Sequence, residues 1–426
     1  MAAMKRGLFF FERFLLVGGR LPWNVILVLG VVGGIDEAAL RNALDAVQAD
    51  HPMLRVAVVQ QGRRPHFNSG TPAVSLLTVQ RSGAMDWFDT VQAELDRPFD
   101  RLHGPLLRAV WLRSETAHEL LLVGDHCICD GRAMLLLARE LLDRLRQVRP
   151  VRAGQSSIDC IHDLFPGGTQ RAARPGLLSG AGAIGWLLRG SGDIRRAGRW
   201  MKGARPRTPS YVLHWEMDAL LCDRLAARCR NENTTSYAAL ATAFLRAMRT
   251  VRPRQTRNRL LCPVDVRAQM PGVAADMLFG FPDTVRLSIE PGLDGDFWAQ
   301  ARMVRRDLLA RRARLDPART LLDAERLHAL SDWFVTLQLH GRARNDLMFS
   351  HLGEATLPQR GDMPADSVLA FLSSMPWRDT TAIFSLRDQG RMRFCLVSRT
   401  ETLSRPDATR VRDEAMARIE TALSPG

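Results

Sequence analysis

Apolar positions in the first third of the chain alternate between short continuous runs and helical spacings. Val25 to Leu29 is an unbroken run of β-formers, and Gly33 and Gly34 interrupt it. Asp36 then stands where a helix N-cap belongs, ahead of Leu40, Ala43, Leu44 and Val47 at helical spacing. That helix should stop near Asp50, His51 and Pro52, since proline cannot continue it. Residues 55–60, 105–112 and 120–123 read as further strands, and 132–141 as a second helix directly after the last of them. Helices returning onto strands in this way predict a mixed α/β fold.

The pattern decays after Leu142 into a Gly-, Pro- and Arg-rich stretch and resumes near Tyr211. Residues 211–215 alternate like a strand, and Thr234, Thr235 and Ser236 offer caps for a helix over 237–249. Strands are predicted over 260–264, 284–289 and 391–398, a long basic helix over 298–315 and a last helix over 407–423. The domain reading is an N-terminal lobe over 1–165, a linker over 166–208 and a C-terminal lobe over 209–426. A length of 426 residues fits two such cores.

Composition is that of an ordinary globular protein, with 46% hydrophobic and 24% charged residues, which excludes disordered and fibrous classes. The net charge of +14 carries only two lysines, Lys5 and Lys202, so part of the excess reflects arginine-rich composition. The rest is concentrated: residues 168–207 hold nine basic side chains against the single Asp193. Such a segment fits an acidic carrier protein, coenzyme A phosphates or anionic headgroups; the competing reading is a solvated linker. With little aromatic interleaving beyond Trp186 and Trp200, it is not read as a nucleic-acid surface. Leu177 to Leu188 is apolar but broken by glycines, giving either an interfacial anchor or a linker with one greasy face.

Early apolar runs are too short for a secretory signal or a membrane span, so a cytoplasmic monomer is expected, with peripheral contact at the inner membrane face as the option residues 168–207 leave open. Seven scattered cysteines without a C-x-x-C pair read as reduced thiols. A zinc site at His126, Cys127 and Cys129 would lack a fourth ligand, so no metal is expected.

The stretch carrying chemistry is His126, Cys127, Ile128, Cys129, Asp130 and Gly131, an H-x-x-x-D-G signature between a strand and a helix. A histidine at a strand end is a candidate general base on a rigid mount, its unperturbed pKa near 6.5 suiting neutral pH. Gly131 suits a close backbone approach where its N–H would face a thioester, or a simple turn before a helix.

In order and separation, this signature and its neighbours resemble the condensation-domain and CoA-dependent acyltransferase superfamily. The neighbours are His51 to Arg55, the "PFD…GPLLR" approach from Pro98 to Arg108, "PVDVR" ending at Arg267, the block from Phe281 to Thr284, and Ser350 to Gly353. The resemblance implies two chloramphenicol-acetyltransferase-like lobes forming a pseudo-dimer with a substrate tunnel between them. It implies an acyltransferase that moves an acyl group from acyl-CoA or an acyl carrier protein to a hydroxyl of a lipid or polyketide-like product. In that reading His126 is the base and no acyl-enzyme forms. Asp130 supports the loop through an ion pair with Arg267, and Asp283, Thr284 and Ser350 touch substrate or intermediate. No tightly bound cofactor is implied beyond the phosphopantetheinyl or CoA donor. The alternatives are a free-standing condensation enzyme making an amide with an amine acceptor, and a catalytically inactive binding module. Departures from the family pattern are Asp125 where condensation domains double the histidine, Pro282 and Asp283 in the "F-V-N-T" block, and His351 in the "S-N-x-G" block.

Overall fold

The computed structural model describes residues 5–19, 21–61, 64–146, 158–166, 207–274, 277–280, 283–289, 295–340, 345–355, 357, 366–377 and 379–424. The basic segment 168–207 therefore lies outside the described residues except for Arg207.

In chain order the first half holds β1 (Lys5–Gly7), α1 (Phe10–Leu15), β2 (Asn24–Val32), α2 (Glu37–Asp50), β3 (Val56–Gln61), β4 (Arg64–Ser69), β5 (Ser75–Gln80), α3 (Asp86–Leu95), β6 (Leu107–Arg113), β7 (Ala117–Asp125) and α4 (Gly131–Leu145). The second half continues with β8 (Ser210–Met217), α5 (Ala219–Asn231), α6 (Ser236–Val251), β9 (Arg259–Val264), β10 (Asp283–Ser288), α7 (Phe297–Arg312), α8 (Pro317–Glu325), α9 (Ser331–His340), β11 (Leu347–Glu354), β12 (Ser367–Ser373), β13 (Ala382–Asp388), β14 (Arg391–Arg399) and α10 (Arg405–Leu423).

Two large sheets dominate. One runs β12-β2-β7-β6-β5 and the other β10-β9-β11-β13-β14-β8, while β1, β4 and β3 form a small third sheet. The continuous apolar runs lie where both sheet faces are covered, as β2 and β7 show: Val25 to Leu29 and Leu120 to Val123 are all at most 1% exposed. Capping decides where the helices begin. Asp36 accepts from Ala39 N–H for α2, Asp130 from Ala133 for α4, Thr235 from Ala238 for α6 and Asp296 from Ala299 for α7. Alpha7 ends at Arg312 rather than at Leu315, because the chain turns there before Asp316 caps α8.

Each large sheet has its own core, one on α2 and α4, the other on α6 and α10. The two are interlocked. Strand β12 comes from the second half of the chain but pairs antiparallel with β2 of the first. Arg393 on β14 donates to Asp388 and to the Val368 carbonyl on β12, and Asp388 accepts the Val368 N–H. The two large sheets are thus joined by a strand that the second half of the chain gives to the sheet of the first.

Candidate active site

His126 is the first residue beyond β7, and the sheet fixes its position. Asn24 of β2 lies opposite Asp125 in register, and the His126 N–H donates to the Trp23 carbonyl at 2.8 Å. The Trp23 indole stands edge-on to the imidazole, with ring centres 4.8 Å apart. Nδ1 is buried and accepts no hydrogen bond of good geometry, whereas Nε2 is not sequestered, so the half-buried ring offers Nε2 as its reachable nitrogen. Burial lowers the His126 pKa below that of a free imidazole, opposed by Asp130, by its own carbonyl and by Asp125. The ring is therefore neutral at pH 7, the state a general base needs.

Asp130 has two duties. Its Oδ1 caps α4 through Ala133 N–H at 3.0 Å, and both oxygens accept from Arg267 Nη2 at 2.7 Å. The same Nη2 donates to the Phe279 carbonyl at 2.8 Å, so one guanidinium ties the helix start to the segment at 277–280. Gly280 then presses on the histidine loop: a Cβ there would lie 2.9 Å from the His126 carbonyl oxygen. Burial works against the Arg267 charge, but Asp130 and Asp265 outweigh it and hold the pKa above its ordinary value. Asp265 also pairs with Arg132 at 2.7 Å, extending the network across the surface.

Gly131 opens α4 with its backbone buried. A Cβ at this position would stand 2.4 Å from Phe371 Cζ on β12 and 3.2 Å from Leu352 Cδ1 on β11. Close approach, not a left-handed backbone, is what requires glycine here. The Phe371 ring is itself packed edge-to-face on Phe384 at 5.5 Å, so a retreat from an added methyl would disturb that contact. Gly131→Ala is accordingly expected to lower stability by about 1–3 kcal/mol through overpacking, read as a shifted denaturation midpoint; an unchanged midpoint would show that β12 yields easily.

Strand β11 meets this point from the other sheet. Phe349 and His351 turn toward α6, where Tyr237 stacks on Phe349 at 4.9 Å. Alternation with Phe349 and His351 turns Ser350 to the other face, that of Met348, which packs with Leu352 against the first core. His126, Asp130, Gly131 and Arg267 thus converge, and Ser350 lies on the strand face turned toward the first core. Asp283 and Thr284 open the edge strand β10: Thr284 N–H donates to Asp283 Oδ1 at 2.7 Å, and among the described residues no hydrogen bond joins either to the His126 loop. Burial raises the Asp283 pKa, opposed by that N–H, and its Oδ2 is buried without a partner. Phe281 and Pro282 lie outside the described residues.

His351 is half-buried on β11. It is hydrogen-bonded through Nδ1 to Ser385 Oγ at 2.8 Å, and burial lowers its pKa to about 4. A folded pKa below the unfolded value near 6.5 means that stability is intact above pH 6.5 and is lost as pH falls toward 4. His351→Asn should flatten that acid loss by at most about 3 kcal/mol at pH 4, measured by denaturation at pH 7 and pH 4; an identical pH slope in the variant would assign the acid sensitivity elsewhere.

Sequence patterning did not single out Arg101, Trp23 or Phe371, which surround the loop. The "PFD…GPLLR" stretch proves to be scaffold around Arg108, whose guanidinium lies 4.1 Å from the Phe99 ring centre and pairs with Glu94. Arg101, from the same stretch, donates to Asp125 at 2.7 Å. All seven cysteines are unbonded and six are buried; burial raises the pKa values of Cys127 and Cys129 well above the ordinary thiol value. Among the described residues no three His, Cys, Asp or Glu side chains converge as a metal site requires, and no helix is long and apolar enough to cross a membrane.

The condensation domain family model matches residues 2–155. The chain is 35% identical over 131 residues to chondramide synthase of Chondromyces crocatus, covering 29% of this chain and 3% of that protein. It is 29% identical over 319 residues to phosphinothricin tripeptide synthetase of Streptomyces viridochromogenes, covering 69% of this chain and 28% of that one. It therefore spans under a third of the length of these curated relatives. Among solved structures, the epimerization domain of tyrocidine synthetase B superposes with a TM-score of 0.67 at 13% identity, covering 99% and 97% of the two chains. Trichothecene 15-O-acetyltransferase from Fusarium sporotrichioides gives 0.71 at 11% identity, covering 98% and 94%. The condensation domain family model thus covers the first third of the chain, and nearly the whole chain shares the fold of these solved structures.

Proposed function

We propose that this chain is an acyltransferase that moves an acyl group from a thioester, held on coenzyme A or an acyl carrier protein, to a hydroxyl of a lipid or polyketide-like acceptor. The observation that carries this reading is His126 itself: a neutral imidazole with Nε2 reachable, on a loop locked from both sides by the Asp130–Arg267 pair and by Gly280. In the proposed reaction Nε2 takes the proton of the acceptor hydroxyl as its oxygen attacks the thioester carbonyl. The tetrahedral intermediate then collapses and the sulfur leaves, taking up the proton from the imidazolium. The Gly131 N–H, at the start of α4, is the proposed donor to the oxyanion, since first-turn N–H groups lack intrahelical partners. Ser350, on the strand face toward the first core, is a proposed contact of the intermediate, and Asp283 and Thr284 are proposed to contact substrate from the β10 edge. Oxygen acylation is supported by the fold shared with a protein named as a 15-O-acetyltransferase.

The second reading is amide formation on an amine acceptor. It is favoured by the sequence relatives, which are named as a chondramide synthase and a tripeptide synthetase. The test is thiol release from a panel of acyl-CoA and acyl-carrier donors with pooled alcohols and amines, with product masses read in parallel. Acceptor-dependent release with an ester mass supports the first reading and an amide mass the second. No transfer by the folded protein across the panel would overturn both in favour of a binding module.

A further inference from the structure

We infer that Arg101 and Asp125 form a positioning pair that holds the His126 imidazole and keeps the charge beside it balanced. Asp125 ends β7 and is fully buried, at 0% exposure. Its Oδ2 accepts from Arg101 Nε at 2.7 Å, and its Oδ1 accepts the Cys127 N–H at 3.1 Å. One carboxylate thus grips the backbone just beyond His126 while being itself the residue just before it. Arg101 Nη2 reaches the Leu21 carbonyl at 3.3 Å, two residues ahead of Trp23, whose carbonyl and ring both contact His126. The pair therefore ties together the two segments on which the imidazole rests.

The two groups pair at 2.7 Å, and their exposures are so low that solvent screens them weakly. Side-chain exposure is 14% for Arg101 and 0% for Asp125. Burial alone would lower the Arg101 pKa, but Asp125 more than offsets it and holds the guanidinium protonated. Among the described residues, the other groups around His126 are balanced or neutral. Asp130 is paired with Arg267, Asp265 with Arg132 and Arg267, Glu12 with Arg6, and the thiols of Cys127 and Cys129 stay protonated. Removing one member of the Arg101–Asp125 pair leaves a net charge next to the imidazole, and removing both does not.

The inference rests on the reading of His126 as base, and the experiment separates the two. His126 is titrated by NMR, its ring signals assigned by their loss in His126→Gln, beside the pH profile of kcat/KM. Asp125→Asn leaves Arg101 unbalanced and should move the His126 titration down by roughly one pH unit. Arg101→Met should move it up by a similar amount, the double variant should return toward wild type, and Arg101→Lys should restore it. Should either single variant fail to fold, the return of the double variant to both folding and wild-type titration carries the same conclusion. Opposed shifts that cancel establish the pair. A His126 titration unmoved in all variants, or moved alike by both single changes, would overturn it. If the NMR shifts appear while wild-type protein transfers no acyl group, the pair stands and the assignment of His126 as base falls.

Discussion

Replacing His126 by alanine is expected to lower kcat/KM for acyl transfer by about two to four orders of magnitude, the usual contribution of a positioned general base. Folding should be nearly untouched, because the contacts that place this residue in the chain are made by its backbone: the N–H bonds Trp23, and the carbonyl packs on Gly280. The imidazole itself makes no hydrogen bond of good geometry through Nδ1, so its removal strands no partner. The check is single-turnover transfer with one donor and one acceptor, beside denaturation of the same samples. A companion result follows from the lowered pKa. The wild-type rate should hold through pH 7 and fall only below about 6.5 as the imidazole takes up its proton, and the acid limb should vanish in the alanine variant. A loss of less than about tenfold would remove His126 from the chemistry and leave it as part of the loop. A large loss accompanied by unfolding would say the same of the measurement, not of the base.

Much of this site was legible before any coordinates because its chemistry is local. His126, Asp130 and Gly131 sit within six residues, between a continuous apolar run and a helix whose cap is Asp130 itself. Arg267 lies more than a hundred residues away and was reached only through family resemblance. What patterning could not supply is pairing between elements. The reason Gly131 has no side chain is Phe371, on a strand donated from the other half of the chain, and nothing near either residue announces that meeting. Strand β11 was missed for a related reason. Its half-buried Ser350, His351 and Leu352 split between two environments, and a register shift between His351 and Glu354 breaks the alternation that marks a strand. Arg101 looked like one arginine among many in a basic chain; only its approach to Asp125 distinguishes it.

Removing the Asp130 side chain should destabilise the protein by about 3 kcal/mol, because two distinct supports are lost at once. Loss of an N-cap costs about 1 kcal/mol, and leaving a charge stranded in a buried pair costs roughly 3–5 kcal/mol. The pair is only mostly buried, with side-chain exposures of 18% and 19%, so water relieves part of the second cost. Asp130→Asn divides the two effects: asparagine still caps α4 but carries no charge for Arg267, so its loss should be smaller than that of alanine. In Asp130→Ala combined with Arg267→Ala, no guanidinium is left unpaired, and the double variant should be more stable than the sum of the single losses predicts. A denaturation cycle on wild type, Asp130→Ala, Arg267→Ala and the double variant measures that coupling, and simple additivity would mean that the ion pair contributes nothing to the fold. Activity read on the same variants then has a clear meaning. If the double variant regains stability yet stays slow while its His126 titration matches wild type, the pair governs where the imidazole points. If activity follows stability, its contribution is to keep α4 and the segment at 277–280 closed on the histidine loop.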